Sequence, residues 1–408
     1  MKEMKKQIIL SGILLFLFQC FSLAQGSAYS GKYTDSAPIV LDGKSNQTIS
    51  MLSINNPSGH CIKLANCSNI IIQNCKLGPA KNEGVYLYNC KNITITNCSM
   101  DSIDSGVVAD ACTGIVVTYN DVRNVQGPMP RGQMVQFGHV YGAGNSISYN
   151  VGENILGQSF PEDEISLYMS NGTAADPIKV IGNWIRGGGP SGSGGGIMTG
   201  DQGGSYVLVQ DNILVNPGQY GITISSGNNI TIKNNKIYSM KQSISNIGLS
   251  AFKQYPINSF SNTIMNNEVN FTNKDGVLNN MWNAGNMGEV IGWFTNSYNA
   301  NLNSSILPVQ IIGRAKGTTT STVVTPTTSN YKIFPNPVFS HSITITSVAP
   351  NNQKIAIFNI KGQKIIDQSI NNSKTEIDTS NLTAGVYVVK ISDNDNVIEI
   401  RKIIVGKI

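Results

Sequence analysis

Residues 67–97 read CSNIIIQNCKLGPAKNEGVYLYNCKNITITN, and this stretch decides the fold. It holds two copies of one pattern, Ile70-Ile71-Ile72-Gln73-Asn74 and, 23 residues later, Ile93-Thr94-Ile95-Thr96-Asn97. A third copy, Val116-Val117-Thr118-Tyr119-Asn120, follows, and the closing Asn returns at Asn150, Asn183, Asn212, Asn235 and Asn267. The spacings are 23, 23, 30, 33, 29, 23 and 32. A fixed unit with insertions is the mark of a solenoid. The runs are β-branched, the joints are rich in Asn and Gly, and helix-period patterning is almost absent. Each unit is therefore predicted to be a coil of three short strands with a tight turn at the Asn. The Asn side chains are expected to stack, each carbonyl accepting from the neighbouring amide. Asn also suits a left-handed turn, and either role gives the same fold.

A second register runs beside the first. Gly84-Val85-Tyr86-Leu87, Gly106-Val107-Val108-Ala109, Gly196-Ile197-Met198-Thr199 and Gly221-Ile222-Thr223-Ile224 recur at equivalent places. Period two points Val85/Leu87, Val107/Ala109, Val135/Phe137, Ile165/Leu167, Ile197/Thr199 and Ile222/Ile224 inward. Tyr86, Val108, Gln136, Ser166, Met198 and Thr223 then form one outward sheet face. Cys67, Cys90 and Cys112, and separately Cys75 and Cys98, repeat with the rungs and are expected as stacked thiols. A rung spacing of ~4.8 Å exceeds the ~3.8 Å Cβ separation that a disulfide prefers.

These N-x-I/V coils, over roughly residues 38–312, resemble the right-handed parallel β-helix of the pectin-lyase-like superfamily. The resemblance implies an all-β fold and assigns no particular chemistry. Composition agrees with an ordered chain: 408 residues, 40% hydrophobic and only 13% charged. The net charge of +5 sits at the ends. Residues 1–25 carry +2, residues 331–408 carry nine Lys/Arg against six Asp/Glu, and the body between is neutral, 17 against 17. A neutral body without a basic stripe argues against nucleic acid as a partner.

The ends read as addresses. Basic residues 1–6, the apolar run 8–18 and Ser22-Leu23-Ala24 predict a signal peptide over 1–24. No later stretch is long and apolar enough to span a membrane. The β-helix is then expected over 25–316, and the Thr/Ser-rich segment 317–330 reads as a linker. Beyond it, short alternating strands predict a small C-terminal β-sandwich over 331–408. Phe334-Pro335-Asn336-Pro337, the stretch Ile357-Phe358-Asn359-Ile360-Lys361-Gly362, Leu382-Thr383-Ala384-Gly385-Val386-Tyr387 and Lys402-Ile403-Ile404-Val405 closely resemble the C-terminal sorting domain of the type IX secretion system. That resemblance implies a Bacteroidetes-type cell, export through periplasm and outer membrane, the secretion machinery as a partner of 331–408, and removal of the domain.

Chemistry is expected where the rungs are long. The units 120–150, 150–183 and 183–212 exceed the base period by seven, ten and six residues, mostly at one corner. Insertions stacked at one corner build a wall beside the outward face, and a groove along several rungs suits an extended polysaccharide. Glu162, Asp163, Glu164, Tyr168, Asp201, His139 and Arg131 concentrate there. In a glycoside hydrolase, Asp201 with Asp163 or Glu164 would form the acid and base. In a lyase, His139, Tyr168 or Arg131 would act on a uronate, with Glu162, Asp163 and Glu164 holding Ca²⁺. The reading from a different class is a non-catalytic carbohydrate-binding or adhesive solenoid. Trp282 and Trp293 are expected to cap the solenoid end, and the chain is expected to be monomeric.

Because a linker separates two cores, deletion from Tyr331 onward should leave a folded β-helix that accumulates in the periplasm of its host. Cell fractionation checks this, and normal secretion of the shortened chain would contradict it.

Overall fold

Every rung contributes one strand to each of three parallel sheets, of 11, 10 and 10 strands, stacked in sequence order. One rung shows the plan: Lys76–Ala80 lies in the first sheet, Val85–Tyr88 in the second and Lys91–Thr96 in the third. This computed structural model describes residues 25–313, 331–336, 338–347, 353–359, 364–370, 372–393 and 396–406. The signal-peptide and linker readings, 1–24 and 317–330, lie outside the described residues. No described helix is long and apolar enough to cross a membrane.

The predicted alternation holds. Val85, Leu87, Val107, Ala109, Val135, Phe137, Ile165, Leu167, Ile197, Ile222 and Ile224 are all buried in one continuous core. Thr199 is buried with them and satisfies its hydroxyl by donating to Thr223 O at 2.8 Å. The outward residues Val108, Ser166 and Thr223 are also buried, because the side walls fold over this face.

The Asn column is present, one residue out of register with the reading at its start. Asn120, Asn150, Asn183, Asn212, Asn235, Asn267 and Asn296 stack, each Nδ2 donating to the next Oδ1 at 2.7–3.1 Å. Each Oδ1 also accepts the backbone N–H of the preceding rung's Asn at 2.9–3.0 Å. Ladder pairing shows that Cys75 and Cys98, not Asn74 and Asn97, occupy this column in the early rungs. Asn74 and Asn97 stand one place earlier, with φ of 55° and 53°. Both roles considered for Asn are thus used, at adjacent positions. The six described cysteines are buried and unbridged, with Cys67, Cys90 and Cys112 donating to carbonyls at 3.1–3.3 Å.

The C-terminal unit is described by itself. A three-stranded antiparallel sheet (Tyr331–Phe334, Ser342–Ser347, Lys374–Asp378) and a four-stranded one (Gln353–Asn359, Lys364–Ile370, Gly385–Asp393, Asn396–Val405) share one core. Ile343, Ile345 and Ile377 of the first sheet meet Ile355, Ile357 and Val389 of the second there. This is the small sandwich expected.

Asn235→Ala removes the acceptor for both the Asn212 N–H and the Asn212 amide, leaving buried donors unpaired. A loss of about 2–4 kcal/mol is expected in denaturant titration. Asn234→Gly, at the exposed left-handed position beside it (φ 57°), should change stability by less than about 1 kcal/mol.

Candidate active site

The outer face of the second sheet forms the floor of a groove of about 1150 Å³. One wall comes from the segments between first-sheet and second-sheet strands, as the long rungs predict. It includes Arg131, Glu162, Ser193, Gln219, Asn246 and Asn279. The opposite wall carries His139, Asp201, Phe252, Gln254 and Tyr255. Part of that wall is a segment after Ile247–Ala251, within the 32-residue unit 235–267, whose excess length the insertion argument passed over.

Asp163 stands at the foot of the first wall, nine-tenths buried. Its Oδ1 accepts hydrogen bonds from the Tyr220 hydroxyl and from the Gly195 N–H. Gly195 is required for this approach, because a Cβ there would lie 2.6 Å from the Tyr220 ring. Burial pushes the Asp163 carboxyl up to about 7; the Tyr220 bond lowers it, and the charges of Glu162 and Asp201 raise it further. Glu162 also lines the groove and accepts from Ser193 Oγ at 2.5 Å.

Glu164 does not reach the groove. Its side chain is fully buried, with Asn154 Nδ2 bonded to both oxygens at 2.8 and 3.0 Å. Burial holds it well above the ordinary carboxylate range. The run precedes the strand Ile165–Tyr168, and against that strand's phase Glu164 turns to Asn154 while Glu162 and Asp163 both line the groove, so the expected catalytic role of Glu164 and the three-carboxylate Ca²⁺ set lack a shared geometry. Among the described residues, no three His, Cys, Asp or Glu side chains converge as a metal site.

Although Thr199-Gly200-Asp201-Gln202-Gly203-Gly204 has the composition of a turn, Asp201 ends the strand Ile197–Asp201. By simple alternation after the inward Thr199 it would face the core. A bulge prevents this: Ser166 pairs with Met198, but Tyr168 pairs with Asp201. The extra residue, Gly200, has φ 67°, and a Cβ on it would lie 1.9 Å from Ser226 O. The bulge re-aims the carboxylate into the groove. There Tyr255 Oη donates to Asp201 Oδ1 at 2.9 Å, and burial, offset by that bond, raises the carboxyl above its usual range.

The remaining candidates line the same groove. Arg131 donates from Nε to Glu83 Oε1 at 2.8 Å and from Nη1 to Gln136 Oε1 at 3.1 Å. Glu83 is buried and also meets His60 Nδ1 at 2.6 Å, so Arg131 is clamped from beneath. His139, in a left-handed turn position with φ 52°, has Nδ1 2.9 Å from Asp110 Oδ1. Its ring meets the edge of Tyr168 at 5.4 Å between centroids. Trp282 does not cap the solenoid: it faces outward opposite Ser250, lines the groove and leans on Phe252, 5.6 Å away. Trp293 does pack against the last of the core. Sequence reading missed Tyr220 and Tyr255, which bond the two aspartates from 57 and 54 residues away. It also passed over Asp110 as a partner for His139.

Residues 37–187 match the family model of the right handed beta helix region. Residues 332–406 match that of the secretion system C-terminal sorting domain. The chain is a right-handed β-helix protein whose C-terminal domain marks it for type IX export to the cell surface or outside. No curated protein matches the sequence. Among solved structures it is similar to the catalytic domain of a GH87 α-1,3-glucanase in complex with nigerose, at 12% identity and TM-score 0.33, covering 68% of this chain. This chain spans 62% of that glucanase domain. It is also similar to the enzymatically active domain of bacteriophage CBA120 tailspike protein 2, at 11% identity and TM-score 0.33, covering 92% of this chain and 72% of that one. At these identities the likeness concerns the fold alone.

The raised Asp163 carboxyl has a consequence for stability. Its folded value of about 7 lies above the unfolded value near 3.9, so the native state keeps a proton that the unfolded chain releases. Stability is therefore full below about pH 4, falls as pH rises to about 7, and is flat above, by on the order of 4 kcal/mol. Asp163→Asn keeps an acceptor for Tyr220 and should lose correspondingly less stability between pH 4 and 7. Urea titrations of both proteins across that range check it; parallel curves would refute it.

Proposed function

We propose that the protein is a secreted glycoside hydrolase that cleaves a polysaccharide lying along the groove. The reading is carried by one observation: two groove carboxylates, Asp163 and Asp201, have different environments, and the charge of one raises the other. Hydrolysis of a glycosidic bond needs a carboxylic acid to protonate the leaving oxygen and a carboxylate to activate water or attack. Asp163, buried and held by Tyr220 and Gly195, keeps its proton toward neutral pH and is assigned as the acid. Asp201, half-buried and held by one tyrosine, is assigned as the base.

Asp163 stands just before the strand Ile165–Tyr168, and Asp201 pairs with Tyr168 at that strand's far end, so a chain along the floor would pass both carboxyl groups. Tyr168, His139 and Arg131 would hold sugar hydroxyls beside the scissile bond. Arg131 and His139 are fixed for this by Glu83 and Asp110.

Incubation with a panel of polysaccharides, reading reducing ends and ultraviolet absorbance together, tests the proposal. Reducing ends without unsaturated products are expected. The pH profile should be a bell, its alkaline limb near 7 as Asp163 loses its proton and its acid limb above the ordinary aspartate range as Asp201 gains one. Asp163→Asn and Asp201→Asn should each lower kcat by about a hundredfold or more. Asp176→Asn, whose carboxylate bonds Lys179 and the Gly144 N–H outside the groove, should leave kcat unchanged. Unsaturated products would indicate elimination. A polymer bound but never cleaved would make the groove a binding site.

A further inference from the structure

Beyond Asp201 the groove continues over three more rungs toward the C-terminal end of the solenoid. Its floor there is Met198, Thr223, Ser250 and Trp282, which pair in register from rung to rung. Three rung steps of ~4.8 Å make roughly 14 Å, room for a short run of sugar rings. Thr223 and Ser250 are recessed and bonded to each other, Ser250 Oγ donating to Thr223 Oγ1 at 2.7 Å. They leave a trough between the Asp201 rung and the Trp282 ring. Trp282 closes the trough with a ring that is 50% exposed and braced from the side by Phe252.

The walls of this half carry neutral amides. Gln219, Asn246 and Asn279 stand on one side and Gln254 on the other, and among the described residues no Lys or Arg lines this half of the groove. Among the described residues the lining holds the carboxylates of Asp110, Glu162 and Asp201, with Asp163 assigned to keep its proton, against His139, which sits on Asp110, and the guanidinium of Arg131, which Glu83 already engages. A uronate chain would meet carboxylates whose neighbouring cationic groups are already engaged, a repulsive arrangement. Planar amides and hydroxyls instead match the hydroxyl groups of an uncharged sugar. An exposed, braced indole matches the apolar face of a sugar ring.

We infer that this half of the groove is a run of subsites for an uncharged glycan chain, ended by Trp282 as a stacking platform. The inference rests on the reading that the groove takes a polysaccharide and adds the class of sugar and the residue that grips it farthest from the carboxylates. The occupant is the same chain that passes Asp163 and Asp201, since trough and carboxylates share one continuous floor.

Affinity electrophoresis of the mature full-length chain tests it, using native gels containing xylan, mannan or linear glucan, or else polygalacturonate or alginate. Retardation by at least one neutral polymer is expected, with none by the uronate polymers. Trp282→Ala should weaken that retardation about two- to tenfold, and Trp282→Phe should restore most of it. Phe294→Ala, a 98% exposed aromatic outside the groove lining, serves as control and should match wild type. Circular dichroism of each variant confirms the fold. Retardation by uronate polymers alone, retardation by none, or equal retardation of wild type and Trp282→Ala would each overturn the inference. Cleavage is scored separately on the same polymers. Retardation lost in Trp282→Ala without products removes the hydrolase and keeps the subsites; products with Trp282→Ala unchanged do the reverse.

Discussion

The structure depends on the buried amide column from Asn120 to Asn296. At the corner where each rung turns from the third sheet into the first, the strand ladders are interrupted, and the backbone N–H there needs another acceptor. The Asn Oδ1 of the next rung supplies it while accepting the Nδ2 of the same residue. The second Nδ2 hydrogen reaches back to a third-sheet carbonyl, as Asn150 does to Val117 O at 2.9 Å. One side-chain type thus locks consecutive rungs together at a fixed height. With that corner held in register, the corner leading into the second sheet is free to grow. One wall of the groove grows from it, and the other from the corner that follows the second sheet.

A stack held this firmly makes period-two alternation reliable, and the site is built at two places that depart from it. Along 162–164, ahead of the strand Ile165–Tyr168, Asp163 enters the groove and Glu164 turns to Asn154, against the phase set by Ile165 and Ser166. At Gly200 a single inserted residue reverses the phase so that Asp201 emerges on the groove face beside Tyr168. Each carboxylate then meets a tyrosine from a later rung. The burial that raises Asp163 destabilises its ionised form, and the surrounding ladder of hydrogen bonds makes that cost tolerable.

Much of this was legible in the sequence. The three-sheet solenoid, its inward residues and the stacked insertions follow from the 23-residue period and the β-branched runs. The Asn column was legible except at its start, because Asn74-Cys75 and Asn97-Cys98 place an Asn one residue before the column position. Spacing alone does not tell a ladder amide from a left-handed turn residue; the 22-residue step from Asn97 to Tyr119, its counterpart at the left-handed position, is what separates the two columns. The groove position of Asp163, Asp201, His139, Tyr168 and Arg131 was anticipated from their closeness to the insertions. Tyr220, Tyr255 and Trp282 were not, because their roles arise from contacts across several rungs. The excess length of the unit 235–267 was the one local hint that a second wall existed.

The two ends of the groove differ in a way that the repeat alone does not require. Upstream of Asp163 the lining is charged and tightly paired, with Arg131 on Glu83 and His139 beside Asp110. Downstream of Asp201 it is neutral, recessed and closed by an indole. A solenoid that merely adhered to a surface could tile equivalent residues on every rung, since each rung offers the same outward positions. Here the outward positions read Tyr86, Val108, Gln136, Ser166, Met198, Thr223, Ser250 and Trp282, with no residue type repeated on adjacent rungs. That polarity would give a bound chain a direction, and under the proposed hydrolase reading a directed chain would place one linkage between the two aspartates.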